Sequence, residues 1–352
     1  MREGIKKILE AAVNAPSESN SQPWRFEVKG NQINVIALPE KDHPILNYRC
    51  RMTWVAHGGL IENILIAALQ FGYLPRFRIF PDKNNLKLTA QIVLERKIIE
   101  EDSLFEAIRK RTTNRNRYKD KPLSSGQKLD ILNSVQEVGG GRLELLADKN
   151  KMIEVGEAMS VNEIVVFENE TLHKFFFDRI VWSAKEEKEK GSGLYLKTMG
   201  LKGSQKLAFR LFKKWKRMEF ANKIGMSRRI AKDNAKIYSS GSAIGAIIVS
   251  DDDKDFITAG RLMERVWLKT SKNGLGFHLM AGTLFFHQRI KTGETKEFLS
   301  GHIKLIEDAY KKVASIFGVS GNKLIALIFR IGYGNKVEAY SYKKPPEIKF
   351  LD

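Results

Sequence analysis

The chain has 352 residues, enough for one large domain or two ordinary ones, and 43% of them are hydrophobic and 29% charged. That balance excludes a disordered chain, and a lone cysteine, Cys50, excludes an internal disulfide framework and fits a reducing compartment. Lys and Arg number 60 against 41 Asp and Glu, and the resulting net charge of +19 attracts anions: nucleic acid, an anionic membrane or phosphorylated small molecules.

In chain order, "MREGIKKILEAAVNAP" reads as an amphipathic helix with Ile5, Ile8, Leu9, Ala12 and Val13 on one stripe. It lacks the apolar core of a signal peptide, and no apolar run is read as long enough to cross a bilayer, so a cytoplasmic location is expected. The helix stops on "APSESNSQPWRF", where Pro16, Ser17, Ser19, Asn20, Ser21, Gln22 and Pro23 follow in quick succession. A turn needs only two or three such residues. The stretch is either a helix stop that anchors Trp24 in a core or a loop whose polar groups face a ligand. Strands over 24–28 and 33–38 flank Gly30-Asn31, a hairpin signal. A long apolar helix from 58 to 72 and a strand over 88–92 complete this half.

Next comes "LFEAIRKRTTNRNRYKDKPLS", which puts Arg111, Thr113 and Arg115 at alternate positions where a helix gives way to extended chain. Two guanidiniums and a hydroxyl facing one side suit a phosphate. The alternative is a solvated basic helix end. Ser124 and Gln127 form a capping box for the following helix. Further on, "SQKLAFRLFKKWKRMEFANKIG" over 204–225 reads as a helix with Leu207, Leu211, Phe212, Trp215 and Met218 on one side and Lys or Arg over much of the rest. It is either a packed lid helix or a surface for an anionic membrane or a partner.

The chain repeats itself. "ILEAAVNAPSESNSQPWRFEV" over 8–28 is answered by "ILNSVQEVGGGRLEL" over 131–145, with the polar loop reduced to three glycines. Gly58, Leu60, Glu62 and Gly72 match Gly260, Leu262, Glu264 and Gly274 without a gap, and "LTAQI" at 88–92 answers "LIALI" at 324–328. Each half reads as helix, strand, long helix, strand, an α+β unit. The halves divide at about residue 100, as 1–100 and 101–352. The second carries roughly 85 more residues between its first strand and its long helix, an insertion near 165–240, and a helical segment over 284–318. The first half keeps the polar loop and the second keeps the basic motif, which suggests one composite site.

These residues resemble the nitroreductase family of flavin enzymes. Ala15–Trp24 resembles the family's Ala-Pro-Ser-x-x-Asn-x-Gln-Pro-Trp element, and "RTTNR" at 111–115 resembles its Arg-x-Ser-x-Arg element with threonine for serine. "NGLGFHL" at 273–279, "IALIFRIGYGN" at 325–335 and "YKK" at 342–344 resemble its Gly-Leu-Gly region, closing strand and basic end. The resemblance implies two nitroreductase-like repeats fused as an intramolecular pseudo-dimer, as in the tandem Acg-like branch, with a helical lid inserted in the second. It further implies one FMN, with its phosphate on Arg111, Thr113 and Arg115, helped by Lys343 or Lys344. Pro16, Ser17 and Asn20 would meet the ring and ribityl chain, and the backbone of Gly274, Leu275 and Gly276 would approach the isoalloxazine.

A flavin carries the redox step itself, so no catalytic acid or base is required of the protein. The six histidines, at positions 43, 57, 173, 278, 287 and 302, show no metal-ligand spacing. The expectation is an NADPH- or NADH-dependent FMN oxidoreductase acting on a small acceptor such as a nitroaromatic or a quinone. A flavin-sequestering protein with a covering lid is the second reading. Nucleic-acid binding rests on charge alone and is not expected.

Overall fold

Hydrophobic spacing seeds the first half. In the computed structural model, which describes residues 1–98 and 100–352, Ile5, Ile8, Leu9 and Ala12 of α1 (Arg2–Ala12) are all buried. The chain then forms β1 (Trp24–Lys29) and β2 (Gln32–Ala37), joined through Gly30 at φ +57°, a conformation two-residue hairpin turns demand. Helix α2 (Arg51–Gln70) follows, then β3 (Tyr73–Ile79) and β4 (Leu88–Arg96).

The second half begins with α3 (Phe105–Lys110), α4 (Ser125–Val138) and β5 (Arg142–Leu146). The capping box of Ser124 and Gln127 is present with both of its hydrogen bonds. An inserted helical block contains α5 (Lys149–Met159), α6 (Val161–Glu168), α7 (Glu170–Asp178), β6 (Ile180–Val181), α8 (Ala184–Lys190), β7 (Leu194–Tyr195), α9 (Gly203–Phe212), α10 (Trp215–Asn222) and α11 (Met226–Tyr238). The chain closes with β8 (Ala243–Ser250), α12 (Asp253–Lys272), β9 (Gly276–Leu279), α13 (Gly282–Lys291), α14 (Ser300–Ile316), β10 (Lys323–Gly332) and β11 (Ile348–Leu351).

Among the described residues two large sheets form, with strand orders β11-β1-β2-β4-β3 and β5-β8-β10-β9, and a small parallel pair, β6-β7, lies in the inserted block. Leaving β11 aside, each half places its own strands in the order first, second, fourth, third, and every neighbouring pair in it is antiparallel. Helix α2 covers the first sheet, α12 covers the second, and the two helices pack on each other. One apolar core runs through both, from Phe26 and Ile33 to Val266 and Phe329. The C-terminal strand β11 belongs by sequence to the second half but lies parallel to β1, with Phe26 opposite Ile348. This crossing ties the tail to the first half.

Four expectations change in detail. The segment 204–225 is two helices broken at Lys213-Lys214, and Leu207 and Leu211 face solvent while Phe212, Trp215 and Met218 turn toward an aromatic core. The segment 284–318 likewise divides into α13 and α14. The repeated sheet core has four strands in each half, including β3 and β8, which the sequence reading does not contain, and β9, which lies in what reads as the end of a helix. Tyr48–Gln70 is long and apolar enough to cross a bilayer, but 89% of its most apolar window is buried inside the fold, against α12 and the first sheet.

Candidate functional site

The loop after α1 is held in an unusual backbone path. Ser19, Asn20 and Gln22 have φ of 43°, 55° and 52°, a region that non-glycine residues enter only where surrounding bonds enforce it. Those bonds are visible. Asn20 Nδ2 donates to the Tyr342 carbonyl at 2.7 Å, and Asn20 Oδ1 accepts from Lys343 Nζ at 2.8 Å. Gln22 Oε1 accepts from the Lys344 backbone N–H at 2.8 Å, and its Nε2 donates to Gly191 O. The Gly193 N–H donates to Ser19 O, and Glu18 pairs with Arg179 of the inserted block. Trp24 is buried, edge-on to His57. The loop is therefore both a helix stop and a clasp for two distant segments.

Beside it lies a cavity of about 460 Å³, within the range of small-molecule sites. Pro16, Ser17 and Asn20 of the loop line it, as do Arg111, Thr113, Arg115 and Lys343. Phe175, Phe176 and Leu194 of the inserted block, and Phe285 and Phe286 of α13, supply apolar walls. Arg111 and Lys343 reach consecutive carbonyls at the end of α1: Arg111 Nη2 donates to Asn14 O at 2.5 Å, and Lys343 Nζ to Ala15 O at 2.7 Å.

The cations differ in how far they are neutralised. Arg111 is buried, lies 4.4 Å from the centroid of the Trp267 ring, and has its Nε 3.2 Å from Glu264 Oε1. Glu264 is fully buried, and burial raises its carboxyl to about 7 against the opposing pull of Arg111. Arg115 donates to Thr198 O at 2.9 Å, and among the described residues neither Arg115 nor Lys343 forms an ion pair with a carboxylate. Desolvation, helped by neighbouring Arg111, lowers the Lys343 ammonium to about 7. The Thr113 hydroxyl has no protein partner among the described residues, and Thr113 itself is fixed by a bridge to Phe277. Uncompensated cations and an unengaged hydroxyl around one apolar-walled space suit an anionic group attached to a flat apolar body.

Four expected site residues lie elsewhere. Gly274 caps α12 at φ +68°, in open space, and Leu275 is buried beyond it. A Cβ on Gly276 would stand 2.8 Å from the Tyr118 ring, so this glycine makes room for a tyrosine rather than for the cavity. Leu279, Ala281 and Gly282, a few residues on, line the wall instead. Lys344 gives its backbone N–H to Gln22, and its side chain lies over Gly191. His278 also stands behind the wall, its Nδ1 accepting from Arg330 Nε at 3.1 Å.

Arg330 was missed. It is fully buried, 4.0 Å from the Tyr118 ring centroid, and donates to Ser240 Oγ and Asn116 O. An arginine inside the apolar strand "LIALIFRIG" was the available signal. Arg179 of the inserted block and Trp267 of α12 were missed as well. No group of three or more His, Cys, Asp or Glu side chains converges on a metal position among the described residues.

Residues 1–49 match the family described as "Putative TM nitroreductase". A "Putative NAD(P)H nitroreductase" of Mycobacterium tuberculosis is 22% identical over 52% of this chain and 52% of its own length. An uncharacterized protein of the same organism is 22% identical over 80% of this chain and 39% of its own length. The alignments thus span about half of these relatives or less. Among solved structures, a nitroreductase with bound FMN from Desulfitobacterium hafniense is 10% identical, covering 70% of this chain and 94% of its own, with a TM-score of 0.37. A nitroreductase-like family protein from Bacillus cereus is 13% identical, with corresponding coverages of 70% and 94% and a TM-score of 0.34.

Proposed function

We propose that this chain is an FMN-dependent NAD(P)H oxidoreductase of nitroreductase type, built of two nitroreductase-like repeats fused as a pseudo-dimer with a single flavin site. The observation that carries the reading is the composite wall: the polar loop of the first half and the basic segment of the second line one cavity. Thr113, Arg115 and Lys343 would hold the phosphate, with Arg111 as a partly neutralised neighbour. Pro16, Ser17 and Asn20 would border the ribityl chain and ring. When bound, FMN supplies hydride acceptance from NADPH or NADH and delivery to a small acceptor such as a nitroaromatic or quinone.

The protein's part is to bind, orient and exclude water. Arg115 and Lys343 supply positive charge without carboxylate partners, and such charge near a flavin favours its anionic reduced form. The phenylalanines of α7 and α13 give an apolar face on which a ring system can lie. No side chain is asked to move a proton.

A second reading, flavin sequestration, is favoured by the clasp between the inserted block and the loop: Gly193 to Ser19, Gln22 to Gly191, and Glu18 to Arg179. A lid held at three points limits access by a nicotinamide. Anaerobic addition of NADPH and then NADH to the flavin-loaded protein separates the two. Bleaching of the visible flavin band supports the oxidoreductase. A band that persists with both donors contradicts that reading and leaves sequestration.

A further inference from the structure

The positive charge of the chain is concentrated on part of the inserted block. Between residues 202 and 229 stand ten Lys and Arg against a single acidic residue, Glu219, so these 28 residues carry almost half of the net charge of +19. Among the described residues only Lys206 of this group pairs with a carboxylate, Glu338. The others, including Lys213, Lys214, Lys216 and Arg217, form no ion pair with a carboxylate of the described residues.

The same stretch exposes large apolar side chains. Leu207 and Leu211, one turn apart on α9, are 63% and 45% exposed, and Phe220 on α10 and Ile224 just beyond it are 70% and 80% exposed. They are not misplaced core residues. Helices α9 and α10 pack on each other, and their inner faces are already used, with Phe209, Phe212, Trp215 and Met218 against the aromatic cluster around Phe167 and Phe177. The outward apolar residues belong to none of the apolar clusters formed by the described residues.

We propose that α9 and α10 dock this protein on an anionic lipid surface. Leu207, Leu211, Phe220 and Ile224 enter the boundary between headgroups and acyl chains, and the flanking lysines and arginines meet the lipid phosphates. A second copy of the chain is a poor occupant, because the same cationic surface would face itself. A nucleic acid satisfies the charge but offers no apolar environment for leucine and isoleucine. A bilayer accepts apolar side chains scattered over two helices without a matching pocket. The flavin site lies under the same inserted block, so docking would bring a lipid-borne acceptor near it, though the docking itself does not depend on the flavin reading.

The test is co-sedimentation of the purified full chain with vesicles of phosphatidylcholine, alone or mixed with phosphatidylglycerol. Binding is expected on the mixed vesicles only and should fall as salt is raised. Lys213→Glu with Lys214→Glu and Lys216→Glu should weaken it by more than about tenfold. Leu207→Ser with Phe220→Ser and Ile224→Ser, which leaves the charge intact, should weaken it by about tenfold as well. None of these residues lines the cavity, so bound flavin content is expected to be unchanged in every variant. Absence of binding to mixed vesicles, or equal binding to neutral ones, overturns the proposal. So does a serine variant that binds as the parent does while duplex DNA strips both from the vesicles, which would mean a nucleic-acid surface.

Discussion

Glu62 of α2 and Glu264 of α12 occupy matching positions on two crossed helices and meet opposite surroundings. Glu62 accepts from Arg261 Nε at 3.0 Å and from Arg265 Nε at 2.5 Å, two arginines of the helix it faces. The positions on α2 that match Arg261 and Arg265 are Gly59 and Asn63. Glu264 therefore faces no arginine from its partner helix, and its cation comes from Arg111. The room left at Gly59 is taken by Pro16 of the polar loop, whose Cδ would stand 3.2 Å from a Cβ placed there. One side of the crossing is filled by guanidiniums, and the other is open to the loop and the cavity. On the proposed function, this asymmetry is why only one side of the crossing would take a flavin although the sheets share a strand order.

Glu264→Gln should change how stability depends on pH. Burial raises the folded-state value to about 7, above the ordinary carboxyl value, so the folded state holds a proton that the unfolded state gives up. The stabilising contribution is complete at pH below about 4 and is lost as pH rises to about 7, on the order of 3 kcal/mol in all. Denaturant unfolding at pH 4.5, 6 and 8 should show the parent losing stability across this window relative to the glutamine variant. Parallel curves would remove Glu264 as the titrating group.

Arg115→Ala should lower FMN affinity by about a hundredfold or more, the scale of a lost charge-assisted bond to phosphate, while riboflavin affinity changes little. Fluorescence titration with both ligands measures this. Equal losses for the two would mean that Arg115 supports the fold of the wall rather than the phosphate.

Lys343 should couple binding to proton uptake. Its ammonium is lowered to about 7, and an anion beside it restores the charge, so binding above pH 7 takes up a proton. FMN affinity should fall with rising pH from about 7, by up to tenfold per unit. Calorimetry in buffers of different ionisation enthalpy detects the proton directly, and Lys343→Met should abolish the uptake.

The long helices meet through glycine. A Cβ on Gly58 would overlap the Ile257 carbonyl oxygen, and one on Gly260 the Val55 carbonyl oxygen. Both obstacles are backbone and cannot swing aside. Gly58→Ala and Gly260→Ala should each destabilise the protein by about 2 kcal/mol or more, with weaker flavin binding because Val55 and Met263 line the cavity. Unchanged thermal unfolding in either variant would contradict the close crossing.

Asn20→Ala should loosen the C-terminal tail, since both ends of the Asn20 amide are bonded to it. Amide hydrogen exchange over 340–351 is expected to rise by about tenfold, the scale of one or two lost bonds, with exchange in α2 unaffected. Unaltered tail protection would show that β1, Gln22 and Glu187 hold the tail without Asn20.

Much of the fold was legible because its signals are local. The stripe from Ile5 to Val13, the hairpin at Gly30 and the Ser124–Gln127 box each depend on a few neighbouring residues. The Gly58–Gly260 match survives because close helix contact restricts what can stand there. What escaped depends on distant partners. Glycine spacing at 274–276 cannot say whether a cofactor or the Tyr118 ring fills the space. Helical periodicity over 204–225 sets Leu207 and Leu211 on one side with Phe212, Trp215 and Met218, but the chain breaks at Lys213-Lys214, where α10 turns to pack on α7, and only the last three meet the aromatic core. Glu264 stood out as a repeat position, but its meaning required Arg111 from another segment.

If the cavity holds FMN by its phosphate, titration of flavin-free protein with FMN and with riboflavin separates the two ligands. Saturation is expected at one FMN per chain, with riboflavin bound at least about a hundredfold more weakly because the cations around Thr113 then have no anion to meet. No saturable flavin binding, or equal affinity for the two flavins, would contradict it.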